Sequence, residues 1–201
     1  MATITVVPNF PDGDPTSVFD VGHAGNSYGL GAGTTFNPAG YDVRDLFGGM
    51  FDSFAPERGR VVFADSQASG TVETINVTLA SPVSLTNYAL WISEDMGSGG
   101  ARSTREFKLF AGATLLDDVN LLNTSGTQSF TSVYGGNGLK ISNALTAAPT
   151  TASYTLQFIQ NQNAGVGSGL RAEEFVAFTP EPGTLSLLGI GIFGVLIRWR
   201  S

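Results

Sequence analysis

The stretch TVETINVTLASPV, residues 71–83, alternates without interruption: Ile75, Val77 and Leu79 fall on one side, Thr74, Asn76 and Thr78 on the other. A period of two belongs to a strand with one face buried and one in water, not to a helix. The pattern recurs. TREFKLFAG sets Phe107 and Leu109 against Glu106 and Lys108, and GLKISNAL sets Leu139, Ile141 and Leu145 against Lys140 and Ser142. SYTLQFIQ sets Tyr154, Leu156 and Phe158 against Thr155 and Gln157. RVVFA (60–64), NYALWIS (87–93), SFTSVY (129–134) and EEFVAF (173–178) are shorter or more wholly apolar runs. Turn-forming clusters stand between them: SPV at 81–83, GSGG at 97–100, NTSG at 123–126, GGNG at 135–138 and GVGSG at 165–169. Many short strands with Gly-rich turns predict an all-β chain, an antiparallel β-sandwich or jelly roll. The one helical candidate in the body, DVRDLFGGMFDSF (42–54), is held to a turn or two by Gly48 and Gly49. Residues 8–41, rich in Gly, Pro, Asn and Asp, read as loops laid over the sandwich.

Charge narrows the function. The net charge is −7, and Lys108 and Lys140 are the only lysines. Binding a phosphate backbone needs clustered cations, so nucleic acid is not an expected partner. Only 13% of residues are charged while hydrophobic residues make up 42%, a balance that suits a β-rich extracellular protein with a hydroxyl and amide surface. There is no cysteine, which excludes a disulfide framework and thiolate metal sites.

No catalytic constellation assembles. GNSYG (25–29) matches G-x-S-x-G by letter, but that elbow needs a strand before Ser27, a helix after it and a later histidine. GLGAGTTFNPAG follows instead, and the single histidine, His23, precedes the serine. One histidine without cysteine also leaves no zinc site. Glycosidases set two carboxylates across a cleft, whereas neighbours on a strand point to opposite faces. Glu94–Asp95, Asp117–Asp118 and Glu173–Glu174 therefore read as solvated strand ends. Asp12, Asp14 and Asp20 are the candidate metal ligands. They fail the EF-hand spacing, with Ser17 at the sixth position and His23 at the twelfth, and remain a looser candidate calcium loop. Trp91, inside NYALWIS, reads as core.

The end of the chain is of another kind. TPEPG closes the polar body, and an apolar or glycine run then extends over 185–197, broken only by Ser186. Leu185, Leu187, Leu188, Ile190, Ile192, Phe193, Val195, Leu196 and Ile197 supply its bulk, and Arg198 and Arg200 follow at once. The run falls short of the roughly 20 residues of a full span, so a short, Gly-flexed hydrophobic helix is expected. Arginines directly after it are the arrangement of a cytoplasmic end. Pro180-Glu181-Pro182, the apolar segment and the terminal arginines together resemble the PEP-CTERM sorting signal of Gram-negative bacteria. The resemblance covers 179–201. It implies recognition and processing by an exosortase, with Pro180, Glu181 and Pro182 as the recognition element. The destination it implies is the bacterial cell envelope, the cell surface or an exopolysaccharide matrix. The basic cluster is only Arg198 and Arg200. The start, MATITVVPNFPDGDP, lacks the basic leader and unbroken apolar run of an export signal: either the signal has been removed, the start is misplaced, or the protein is not exported.

The body resembles a discoidin or galactose-binding-like jelly roll over roughly 60–178. The residues that carry this are Arg105 ahead of Phe107-Lys108-Leu109-Phe110, and Gly169-Leu170-Arg171 opening the last strand. It implies carbohydrate binding through loops at one end. The expected organisation is a β-sandwich domain over 1–178 and a sorting and anchor segment over 179–201. The expected function is that of a non-enzymatic surface or matrix protein. A carbohydrate-binding module, calcium-assisted and using loops near 8–41 and 95–104, stands as the alternative, and a hydrolase ranks last.

Overall fold

The computed structural model describes residues 1–7, 14–36, 41–48, 61–93, 104–121, 138–161 and 169–180. Ten strands run in order: β1 (Thr3–Val7), β2 (Ser27–Leu30), β3 (Val61–Val62), β4 (Val72–Val83), β5 (Asn87–Ser93), β6 (Thr104–Ala111), β7 (Thr114–Asn120), β8 (Gly138–Ala144), β9 (Thr151–Gln160) and β10 (Arg171–Phe178). They form two five-stranded sheets, β1-β8-β5-β10-β3 and β2-β4-β9-β6-β7, and every pairing is antiparallel. This is the expected jelly-roll sandwich. The expected strand at 129–134 and the hydrophobic helix over 185–197 lie outside the described residues, as does the turn at 165–168. Among the described residues no helix is long and apolar enough to cross a membrane. DVRDLFGG does give its short turn, a 3-10 helix over Val43–Phe47 that Asp42 caps at its start and Gly48 ends at φ 86.

Alternation sets the faces. Ile75, Val77 and Leu79 of β4 pack inward with Tyr154, Leu156 and Phe158 of β9, with Phe107 and Leu109 of β6, and with Tyr88, Leu90 and Ile92 of β5. Aromatic rings run through this core in an unbroken chain. Phe63 meets Phe158 at 5.5 Å between centroids, Phe158 meets Phe107 at 5.4 Å, and Phe107 meets Tyr88 at 5.8 Å. Tyr88 stacks on Phe175 at 5.7 Å, Phe175 meets Phe19 at 5.2 Å, and Phe19 meets Tyr154 at 5.2 Å. Each such pair contributes about 0.5–1.5 kcal/mol beyond the area it buries.

The two long sides of the sandwich are closed by different chemistry. Between β10 and β2, Phe19 and Phe47 fill the gap and Tyr28 stacks on Phe47 at 4.7 Å. The loop that carries Phe19 is tied to β10: Val18 N–H donates to the Ala177 carbonyl, and Ala177 N–H donates to Ser17 Oγ. On the opposite side Asp117 of edge strand β7 reaches across to the other sheet. Its Oδ2 accepts from the Tyr88 hydroxyl at 2.6 Å and from Asn143 Nδ2 at 2.7 Å. Burial first, then the carboxylate beside it, pushes the Tyr88 hydroxyl far up from its ordinary pKa.

Two residues sit where their chemistry is constrained. Gly169, two residues ahead of β10, lies against the chain just after β3, and a Cβ there would lie 1.8 Å from the Phe63 carbonyl oxygen. Glu73 lies on the inward face of β4 and is 2% exposed. Burial raises its carboxyl pKa, against the opposing hydrogen bond from the Thr34 side chain.

Gly169→Ala is therefore expected to cost roughly 3 kcal/mol or more, since neither backbone can yield, and urea titration reads this as a lowered midpoint. Glu73→Gln should act in the other direction. A carboxyl raised in the fold keeps its proton after the unfolded chain, near pH 4.3, has lost its own. Glu73 thus costs stability above that pH and none below it. Thermal unfolding should show the variant about 2 °C more stable at pH 7 and level with the parent below about pH 4; an equal difference at both would refute the assignment.

Candidate functional site

The strands divide the sandwich into two unlike ends. At one end the connections are short: 84–86 joins β4 to β5, 112–113 turns β6 into β7 with Gly112 at φ 56, and 145–150 joins β8 to β9. Met1 and the exit at Thr179–Pro180 lie at this same end, because Thr3 pairs with Ser142 and Phe178 with Asn87. From the other end leave the connections after Val7, Ser93, Asn120 and Gln160, which return at Thr104, Gly138 and Arg171 among others. Of the expected binding loop near 95–104, residues 95–103 lie outside the described residues, and Thr104 opens β6 at this end.

The floor beneath the loop-bearing end is polar. Of the nine buried polar residues among those described, seven lie in this half: Thr34, Glu73, Thr104, Gln160, Asn161, Glu173 and Glu174. Arg105 and Arg171 open β6 and β10 here, with both Nε atoms buried. Backbone ties hold the rim. Gly169 N–H donates to Asp65 Oδ1 at 3.0 Å, Ser69 Oγ donates to the Asn161 carbonyl at 2.6 Å, and Leu121 N–H donates to the Arg105 carbonyl at 2.8 Å. Ser66, in the turn after β3, holds a left-handed φ of 60, a strained conformation of the kind that gathers at functional rims. Buried carboxylates and guanidinium groups in this half give it a polar interior beneath the loops. Fixed donors and acceptors are what a polyhydroxylated ligand requires.

The expected site residues fall as follows. Arg105 and Arg171 come to the loop-bearing end on different sheets. Asp14 and Asp20 sit at the other end, in consecutive turns, and each binds its own loop: Asp14 Oδ1 accepts from Thr16, and Asp20 Oδ1 accepts from Gly22 N–H at 2.7 Å. Asp12 lies outside the described residues, and among those described no group of three acidic or histidine side chains is placed to hold a metal. His23 Nε2 lies 3.0 Å from the Ser17 carbonyl as part of the same loop. Ser27 opens β2, exposed and with no helix after it. Pro180 is exposed at the exit, while Glu181, Pro182, the apolar segment 185–197, Arg198 and Arg200 lie outside the described residues.

Three readings change. Glu173 and Glu174 are not solvated: both are 2% exposed, because the bulge between Ala172 and Glu174 carries them into the buried part of β10. Trp91 is not core. It faces outward from β5, half-exposed, with Lys140 Nζ 4.9 Å above its ring. Asp117, read as a solvated strand end, instead lies partly buried in the middle of β7 and accepts from Tyr88 and Asn143, while Glu73 went unremarked; each shares strand parity with an inward apolar residue, Val119 and Ile75 respectively.

Residues 178–201 match the PEP-CTERM protein-sorting motif. No curated protein matches the chain. Among solved structures, a histidine mutant of the lectin binding domain of lectinolysin, complexed with Lewis b, is 12% identical with a TM-score of 0.50, covering 84% of this chain and 99% of that one. The family 32 carbohydrate-binding module of Clostridium perfringens NanJ, solved with galactose, is 10% identical with a TM-score of 0.49, covering 81% and 97%. That of Streptococcus pneumoniae EndoD is 12% identical with a TM-score of 0.47, covering 81% and 99%. At such identities the likeness is one of fold. The chain is a jelly-roll β-sandwich whose residues 178–201 match the PEP-CTERM sorting motif.

Proposed function

We infer that this is a surface-sorted protein that binds carbohydrate and does no catalysis. The β-sandwich over 1–178 is the cargo and 179–201 the signal. The observation that carries the reading is where the two meet. The sorting motif begins at Phe178, the last residue of the last strand, and that residue's carbonyl accepts hydrogen bonds from the Thr86 N–H at 2.8 Å and the Thr86 hydroxyl at 3.1 Å. The domain is thus complete before the signal starts, and an exosortase in the membrane can process the signal without unravelling a strand. In this reading Pro180, Glu181 and Pro182 are the recognition element, the 185–197 segment holds the signal in the bilayer, and Arg198 and Arg200 keep its end cytoplasmic.

Carbohydrate binding is assigned to the loop-bearing end. Support comes from its polar floor and from the jelly-roll fold shared with the lectin binding domain of lectinolysin. Extracellular polysaccharide is the proposed partner; Asp14 and Asp20 lie at the opposite end, so a calcium ion held by the loops of Asp12, Asp14 and Asp20 would not touch the sugar and would act on that loop alone.

Replacing Pro180, Glu181 and Pro182 by alanine should leave the protein unprocessed. Intact mass of envelope and medium fractions reads this directly: the parent ends near 180–182, the variant retains the full tail. Equal processing of both would sink the sorting assignment. Titration of the full chain with matrix polysaccharide, with and without calcium, should show saturable binding that chelation leaves unaltered; no binding in either condition would leave a purely structural role.

A further inference from the structure

The outer face of the first sheet carries a groove of about 540 Å³ at the end opposite the long connections. Its size falls in the range of small-molecule sites. The groove exists because the residues facing outward at its centre are small: Ala89 of β5, and Ser142 and Ala144 of β8. Larger side chains rise around them. Lys140 stands at one end beside Trp91, its directly paired neighbour, and Asn87 and Phe178 stand at the other as a second outward pair. Thr3 of β1, paired with Ser142, forms one flank. Four residues of strand separate Lys140 from Ala144, so the groove is about 13 Å long.

Lys140 is distinctive in this acidic chain. The other lysine, Lys108, lies between Glu106 at 2.7 Å and Asp118 at 3.2 Å. Arg44 is paired with Asp42. Lys140 has no carboxylate partner among the described residues, and its ammonium rests on the Trp91 ring. Glu174 pairs with Trp91 from the other side, so β5 lies between it and Lys140. The indole attracts the ammonium by cation–π interaction, and no carboxylate among the described residues accepts from it. A charge held this way is ready for an anion.

We propose that this groove is a second binding site, distinct from the loop-bearing end, and that it takes a carboxylate-bearing sugar chain of the uronate type. The carboxylate of one sugar meets Lys140. Hydroxyls meet Ser142, Thr3 and Asn87, and the C–H face of the next sugar lies on Phe178. Lys140 at one end of a hydroxyl-lined groove, with the Met1 ammonium as the other cation of its lining, fits a sugar chain with a carboxylate on each unit. It does not fit a nucleic acid, which requires several cations along the backbone. The site stands whether or not the loop-bearing end binds glycan. If both bind, one protein joins two polysaccharide strands.

The test uses the full chain in detergent micelles with Trp199→Phe, which leaves Trp91 as the only indole, titrated with oligogalacturonate and with the same oligosaccharide after carboxyl reduction. The expected result is a saturable change in Trp91 emission with oligogalacturonate. Carboxyl reduction and Lys140→Gln should each weaken binding about tenfold, as loss of one charge-assisted hydrogen bond does, and Lys140→Arg should restore it. Added salt should weaken the parent more than the Gln variant. An unaltered melting temperature shows that Lys140→Gln leaves the fold intact. The proposal is overturned if no saturable change occurs, or if Lys140→Gln binds as tightly as the parent. The latter places the ligand at the loop-bearing end and leaves the proposed function standing. Loss of polysaccharide binding from that end, with the Lys140 effect intact, overturns the proposed function and supports this site.

Discussion

Two sheets without a disulfide between them, and with almost no helix to cover them, must be held by what lies in the gap. Here that is a run of aromatic rings from Phe63 through Phe158, Phe107, Tyr88 and Phe175 to Phe19 and Tyr154. The rings come from both sheets and from the loop that closes the side. Hydrogen bonds order each sheet within itself, and only side chains join one sheet to the other. The relative position of the two sheets, and so the geometry of both ends, rests on how these rings interlock. The Asp117 bridge adds direction to this contact, since a carboxylate that accepts from Tyr88 and Asn143 fixes edge strand β7 over β5 and β8.

That frame separates two duties. Both described chain ends and all the short connections share one end, while the buried polar residues and the longer connections gather at the other. A membrane segment attached through Thr179 and Pro180 would therefore hold the sandwich with its loop-bearing end directed away from the bilayer. The separation follows from topology. Antiparallel strands return every connection to one of two ends, and with β10 running toward the exit, the connection that feeds it must lie opposite.

Sequence pattern made the sheets legible because burial of one face writes itself into every second residue. β4, β6, β8 and β9 all follow it. The same rule, applied to polar residues, places Glu73 and Asp117 inward, and they were missed only because carboxylates are habitually assigned to solvent. Glu173 and Glu174 were beyond the rule: a bulge changes parity locally and leaves no mark in composition. Trp91 was misplaced because NYALWIS is apolar on both faces, and nothing in the run says that Trp91 and Ala89 share the outer one. The groove depends on register between β5, β8 and β10, which pairs Lys140 with Trp91 and Asn87 with Phe178 across strands distant in sequence. The sorting motif was legible for the opposite reason. It is a contiguous pattern of residues, so it requires no fold to be recognised.

The clamp of Thr86 on the Phe178 carbonyl also has a mechanical meaning. Any pull exerted through the tail enters the domain along the axis of β10. That strand is flanked by β5 over most of its length, and on its other side by β3 and by the loop at Val18. Antiparallel hydrogen bonds lie perpendicular to the strands, so a pull along β10 loads them together in shear and does not open them one by one. A protein tethered by its last strand in this way resists extraction as a unit, and flow or matrix tension on it would be borne by the whole width of a sheet.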